Sequence, residues 1–281
     1  MDKDKWNKRA ESWEIKRKNS EESSHRIEST IEYIKEKKLI SNDSVIADIG
    51  SGPCRFAAEF AKTSKRVDCF DISDKMLLYG SKYAASCDIF NINYICCDFS
   101  ELNIASSKYE HAYDLVFSSL TPAVSSKEAI LKMTDMSRAY CLNISHIYKS
   151  NSLEDEIKNT IFKENWVSKA FDYNFLNTFN FLFANGYNPI VDYDYRNETK
   201  SFIPDRYYAE IIMEHILPLD MQSKENSDII HKYLEKKANN NGYIIEETHS
   251  CYGRILWDKR LKTKRSAGMS GFYNDNKGYI L

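Results

Sequence analysis

The residues able to do chemistry begin at one tight spacing: Asp48, then Gly50 and Gly52, within VIADIGSGPC at residues 45–54. Val45, Ile46 and Ala47 form an apolar run that need not alternate if both faces of a parallel strand are covered. The acidic residue closes that run. Two glycines then permit backbone angles closed to other residues, and they let a ligand approach the main chain. RFAAEFAK at 55–62 supplies a following helix, so strand, turn and helix predict a nucleotide-type pocket at the carboxyl edge of a parallel sheet. A nicotinamide fingerprint would need a further glycine where Arg55 stands, which argues against a dehydrogenase. His146, at the end of a later apolar run, is the best placed general base; its plainer alternative is a hydrogen-bonded structural histidine.

The elements that must position these residues alternate. Further strands are predicted at 66–72, 93–98, 113–118 and 139–146, with helices at 74–86 and 127–138 behind the cap candidates Ser73 and Ser126. This alternation predicts an α/β fold with a doubly wound, Rossmann-like parallel sheet. Two helices are predicted before it. The first carries Trp6, Arg9, Ala10 and Trp13, its tryptophans sharing a face as an aromatic flap; the second, 24–38, has Ile27, Ile31 and Ile34 at helical spacing. After His146 the pattern becomes mostly helical over 153–184, with Phe171, Tyr173, Phe175, Phe179, Phe181 and Phe183, and Gly186 as the stop. A strand at 188–202, helices at 205–217 and 227–239, and a closing strand at 243–258, interrupted near Gly253, complete the order. Helices between the final two strands form a cap insertion at the sheet edge.

Composition excludes several classes. A length of 281 residues suffices for one large domain, and a net charge of -2 gives no field favouring nucleic acid or an anionic membrane. No stretch approaches the roughly 20 apolar residues of a membrane span, and the charged first residues do not suit a signal peptide, so a soluble, cytoplasmic protein is expected. The seven cysteines lack a paired CxxC spacing and predict neither a disulfide framework nor a metal site.

With the strands in place, the sequence resembles the class I S-adenosylmethionine-dependent methyltransferases, especially their type-11 and type-25 small-molecule groups. DIGSGPCRFAAEFA matches the first motif of that family, CFDIS the second, CCDFS the third and DLVFSS the fourth. The resemblance implies a seven-stranded sheet and a domain over 1–260. Within it, 1–40 form the N-terminal helices, 43–147 the cofactor-binding core, and 151–186 with 204–241 the helical cap; 261–281 form a polar tail. It also implies S-adenosylmethionine as cofactor. Asp48, Gly50 and Gly52 would hold its amino acid end, Asp71 its ribose, and Asp98 its adenine amino group with Phe99 near the ring. Ile72 and Met76 would line the adenine, and Ser118 is counted with these cofactor residues. Each carboxylate has a plainer alternative as a helix or turn cap. The sequence departs from the commonest pattern at Cys54, where a third glycine is frequent.

SSLTPA at 118–123 is expected to face the methyl group, with Thr121 and Pro122 shaping the wall. It lacks the Asn/Asp-Pro-Pro-aromatic motif of many nucleic acid amine methyltransferases. A small-molecule acceptor is therefore expected, contacted by Trp6, Arg9 and Tyr207, with no metal and no membrane partner. The alternatives are an RNA or protein methyltransferase, motivated by the basic run KRLKTKR at 259–265, and a non-catalytic cofactor-binding regulator or partner subunit.

Overall fold

The computed structural model describes residues 2–10, 21–162, 173–218 and 221–263. Trp13, Phe171 and the tail from residue 264 lie outside the described residues. Seven strands form one sheet in the order β3-β2-β1-β4-β5-β7-β6. They are β1 (Val45–Ile49), β2 (Arg66–Asp71), β3 (Ile92–Cys96), β4 (Tyr113–Ser119), β5 (Ser137–Asn151), β6 (Ile190–Phe202) and β7 (Ile244–Asp258). β1 pairs in parallel with β2 on one side and β4 on the other, β2 with β3, and β4 with β5. Strand order therefore reverses beside β1, and a crevice opens outside its carboxyl end. Along the last two strands, Arg254 bonds Asp192 and His249 bonds Asn197, each at 2.7 Å, pairings that step in opposite directions. β6 and β7 are antiparallel.

The helices follow from caps and apolar faces. Residues 3–10 are helical (α1), and α2 (Glu21–Glu36) buries Ile27, Thr30, Tyr33 and Ile34 on one face. α3 (Arg55–Ala61) follows the glycine turn. α4 (Asp74–Ser86) begins where the Ser73 hydroxyl accepts from Met76 N, and α5 (Lys127–Met136) where Ser126 accepts from Ala129 N, the caps expected from sequence. α7 (Tyr173–Ala184) puts Leu182 into a core that also holds Ile49, Phe70, Val116, Met133 and Trp257.

Contacts divide the chain into two compact units. The first comprises residues 1–145, 173–192 and 253–281; the second comprises 146–172 and 193–252. Within the second, α6 (Ser152–Ile157), α8 (Arg206–Ile216) and α9 (Lys224–Lys237) enclose their own core of Leu153, Ile157, Ile212, Ile216, Ile230 and Leu234. Asn151, Asp205 and Ser223 cap the three helices through side-chain oxygens. α7, expected as part of the cap, belongs instead to the first unit because its apolar side meets that unit's core. The closing strand is also not interrupted: β7 continues through Gly253, where successive residues 250–257 are buried and a break would strand main-chain groups.

Cys54, at the place where a third glycine is frequent, takes the left-handed conformation that glycine adopts most readily (φ 55, ψ 33). That conformation costs a residue with a Cβ roughly 1–2 kcal/mol. Its side chain fits because a glycine stands opposite, in the middle of α4: a Cβ on Gly80 would lie 2.6 Å from Cys54 Sγ and 2.8 Å from Cys54 Cβ. Gly80→Ala should thus destabilise the fold by about 1–3 kcal/mol, the usual cost of overpacking. In denaturant titrations, adding Cys54→Gly should recover most of that loss, leaving a coupling of about 1 kcal/mol or more; simple additivity would refute the pairing.

Candidate functional site

The site is built where β1 ends. Gly50 and Gly52 both take positive φ, 65 and 53, and the Gly50 and Ser51 amides donate to the Phe70 carbonyl at 2.7 and 3.1 Å. These bonds fold the turn back against β2. As a result Asp71, the last residue of β2, accepts from Gly52 N and Ser73 N, both at 2.8 Å, one through each carboxylate oxygen. Each oxygen retains capacity for a further donor. Burial raises the Asp71 carboxyl above its ordinary value, against the backbone donors Ser73, Gly52 and Ile72, which lower it.

Asp48 lies below this turn and is 2% exposed. Its Oδ2 is buried without a hydrogen-bond partner among the described residues. Burial first, and the charge of Asp71 second, push its carboxyl up to about 8. A buried acceptor without a donor is costly, so it calls for a cationic or hydrogen-bonding group from outside the chain. This is the property that fits the ammonium end of an S-adenosylmethionine molecule, directly or through water.

The wall opposite the turn comes from the end of β4. Thr121 packs so closely on Gly50 that a Cβ there would lie 2.0 Å from Thr121 Oγ1, which also accepts from Ala123 N. Pro122 is exposed beside it. Leu120 is held at φ 50, a strained conformation for a branched residue, with its amide bonded to Ile144 O at 2.9 Å. Ser118 is fully buried rather than open to the crevice: it accepts from Asn143 Nδ2 at 2.8 Å, and Asn143 Oδ1 accepts from Ser145 Oγ at 3.0 Å. This buried polar chain ties β4 to β5. Asn143 and Ser145 were missed as site-shaping residues, although two polar residues inside the apolar AYCLNISH run were a visible signal.

Beside Asp71, α1 docks on the start of α4. Ser73 Oγ donates to Asn7 Oδ1 at 2.6 Å, and Lys3 approaches Asp74 at 3.6 Å. Arg9 lies over the Trp6 ring, 5.2 Å from its centroid. Asn7 is a second contact that sequence did not flag, because a lone asparagine on a polar helix carries no spacing signal. Ile72 is half-buried and Met76 buried beside Asp71. Asp98 caps its own turn, accepting from Ser100 N at 2.9 Å and Ser100 Oγ at 2.6 Å. Phe99, 2% exposed, belongs to the core with Phe70, Ile104 and Tyr113. In the second unit the His146 ring packs 4.8 Å from that of Tyr252, and Tyr207 is exposed on α8 with its ring edge-on to Tyr208. Among the described residues no His, Cys, Asp and Glu cluster could hold a metal, and no helix is long and apolar enough to cross a membrane.

The reversal of strand order beside a glycine turn, with acidic residues closing β1 and β2, defines the class I methyltransferase fold. Comparison with known families agrees: the family described as Methyltransferase domain matches residues 46–139. Among solved structures, a protein from Bacillus halodurans C-125 assigned as a methyltransferase aligns with a TM-score of 0.51 at 14% identity, over 82% of this chain and 99% of that one. The YcgJ protein of Bacillus subtilis aligns at 0.50 and 13%, over 82% and 98%. Magnesium protoporphyrin IX methyltransferase from Synechocystis PCC 6803, solved with bound S-adenosylhomocysteine, aligns at 0.45 and 12%, over 82% of each chain. Comparison with curated protein sequences gives no match. Residues 46–139 match a methyltransferase domain, and the chain has the fold of the solved structures of Bacillus halodurans and Bacillus subtilis to which it is similar.

The raised Asp48 value has a sign that can be checked. An unfolded aspartate titrates near 3.9, so between about pH 4 and pH 8 the folded chain binds the additional proton. Through this group, stability falls as pH rises across that window and levels off above it. Asp48→Asn should flatten the decline when unfolding free energy is measured from pH 5 to pH 8. An unchanged slope would remove Asp48 as its source.

Proposed function

We propose that the chain transfers the methyl group of S-adenosylmethionine to a small-molecule acceptor by in-line displacement. The observation that carries the cofactor assignment is the pair of carboxylates at the turn. Asp48 keeps a buried, unpartnered oxygen, while Asp71 is held by two backbone amides with capacity to spare. When bound, the cofactor supplies a methyl carbon activated by its sulfonium. The chain's own groups hold and align. Asp48 receives the ammonium end, Gly50 and Gly52 allow the main chain to come close, and Asp71 accepts from the ribose hydroxyls. Ile72 and Met76 form the apolar adenine wall, and Asp98 accepts from the adenine amino group. Phe99 serves in this reading by supporting that loop from the core.

Displacement at a methyl carbon needs no covalent enzyme intermediate. Alignment and exclusion of water dominate, and positioning alone can supply about 7–11 kcal/mol at its upper range. Thr121 and Pro122 shape the acceptor wall, with Ser118 fixing its base through the chain to Asn143. His146 is the proposed general base for an acceptor that must lose a proton, and Trp6, Arg9 and Tyr207 are the proposed acceptor contacts.

A small acceptor is supported by the near-balanced charge of -2 and by the wall sequence SSLTPA. The basic run lends little to a nucleic acid reading, because its described members are already engaged. Lys259 Nζ donates to Ser137 O at 3.0 Å, and Arg260 makes a two-point contact with Asp258 at 2.6 and 2.8 Å.

Two measurements test this. Calorimetric titration with S-adenosylhomocysteine should show binding that Asp71→Asn weakens by about tenfold or more, as expected for a lost hydrogen bond to a charged group; equal affinity would refute the ribose role. Incubation with methyl-labelled cofactor and fractionated cell extract should place the label in the low-molecular-weight fraction. Label confined to RNA or protein would overturn the small-molecule assignment.

A further inference from the structure

A second cavity lies in the first unit, away from the glycine turn. It is a half-open hollow of about 260 Å³ lined by Arg66, Asp68, Asn93, Ile95, Lys108, Tyr109 and Tyr113. Arg66 opens β2 and Asp71 closes it, so at about 3.3 Å per residue the cavity mouth stands roughly 16 Å along the strand from the ribose carboxylate. At its centre is Asp68, 5% exposed in mid-strand. Arg66 Nε approaches its Oδ1 at 2.9 Å, Asn93 Nδ2 donates to Oδ1 at 2.8 Å, and the Tyr113 hydroxyl donates to Oδ2 at 2.9 Å. The Arg66 side chain is 46% exposed while that of Asp68 is 7% exposed, so the pair sits at the edge of the hollow with its cation in reach of solvent.

The chemistry of the lining selects the ligand. Asp68 is already satisfied by three donors, so it does not attract a cation. Lys108 has no carboxylate within ion-pair distance among the described residues; its ammonium lies 5.1 Å from the Tyr109 ring centroid. Two cations and one carboxylate leave a net positive lining. Tyr109 and Ile95 supply the aromatic and aliphatic walls, surfaces that favour offset or edge contacts with a ring, while Tyr113, 1% exposed, backs them from the core. An apolar cavity of about 150 Å³ accommodates benzene, so this larger volume has room for one ring and a small charged substituent.

The geometry points to a binding site for a single-ring aromatic carboxylate, its ring against Tyr109 and Ile95 and its carboxylate toward Lys108 and Arg66. The site is separate from the methyl-transfer crevice and does not rest on the cofactor assignment.

Benzoate serves as the probe and benzyl alcohol as its uncharged counterpart, each titrated into the full chain and followed by ligand-observed NMR and calorimetry. Benzoate should bind saturably and at least fivefold more tightly than benzyl alcohol. Lys108→Ala, a change at an exposed residue that leaves the fold intact, should weaken benzoate at least threefold and leave benzyl alcohol unchanged. Ile95→Trp, which fills the cavity, should abolish binding of both. No saturable benzoate binding, equal affinity for the two probes, or binding indifferent to both substitutions would each overturn the proposal. Thermal unfolding of the two variants separates a blocked cavity from a lost fold, and Lys108→Ala decides the matter if Ile95→Trp does not fold.

Discussion

The carbonyl of Phe70 is the acceptor on which the site's geometry depends. By receiving the amides of Gly50 and Ser51 it fastens the turn after β1 to the end of β2. Only then can Gly52 N reach the Asp71 carboxylate, and only then do two acidic residues from different strands share one locality. Burial, and behind it the charge of Asp71, raises the Asp48 carboxyl, and that cost is part of what makes the turn receptive to a cation. Phe70 also presents its ring edge-on to Tyr109 and Tyr113, with centroids 5.3 and 6.3 Å away. One residue thus touches the glycine turn through its main chain and the wall of the hollow at Tyr109 through its side chain.

Much of the first unit was legible because its signals are local. An apolar run ending in Asp48, glycines where φ is positive, and serines three residues before α4 and α5 amides each specify one feature without help from distant sequence. The strand order then follows from short right-handed connections between such elements. The side chains behind the crevice were harder to read. Ser118 stands at the expected strand end, yet its hydroxyl turns to Asn143 and Met133 because β5 pairs beside it in a register that no single-strand pattern encodes. Phe99 likewise follows a motif acid but is drawn into the core, since burying a phenylalanine removes more apolar surface from water than leaving it at the rim.

The later half was less legible for a different reason. Helical periodicity identifies an apolar face but not the core that receives it. α7 and α8 both read as cap helices, yet α7 joins the core of Phe70 and Met133, while α8 joins that of Leu153 and Leu234. Gly253 invites a break in isolation, whereas its buried neighbours on β7 require the ladder to continue. The two units also differ in chemistry. The first carries positive-φ residues at the ends of β1 and β4, and the second is held by capped helices and side-chain bonds such as that between His215 and Glu154.

The contact between Cys54 and Gly80 has a consequence for how this turn can vary over time. A chain carrying cysteine at position 54 cannot accept even a methyl group at position 80 without crowding, whereas glycine at 54 removes the two shortest contacts and leaves the Pro53 main chain at 3.2 Å. Substitution is therefore less crowded in one order than in the other. The residue at 54 thus sets how much room position 80 has, and the two sites vary as a pair rather than singly.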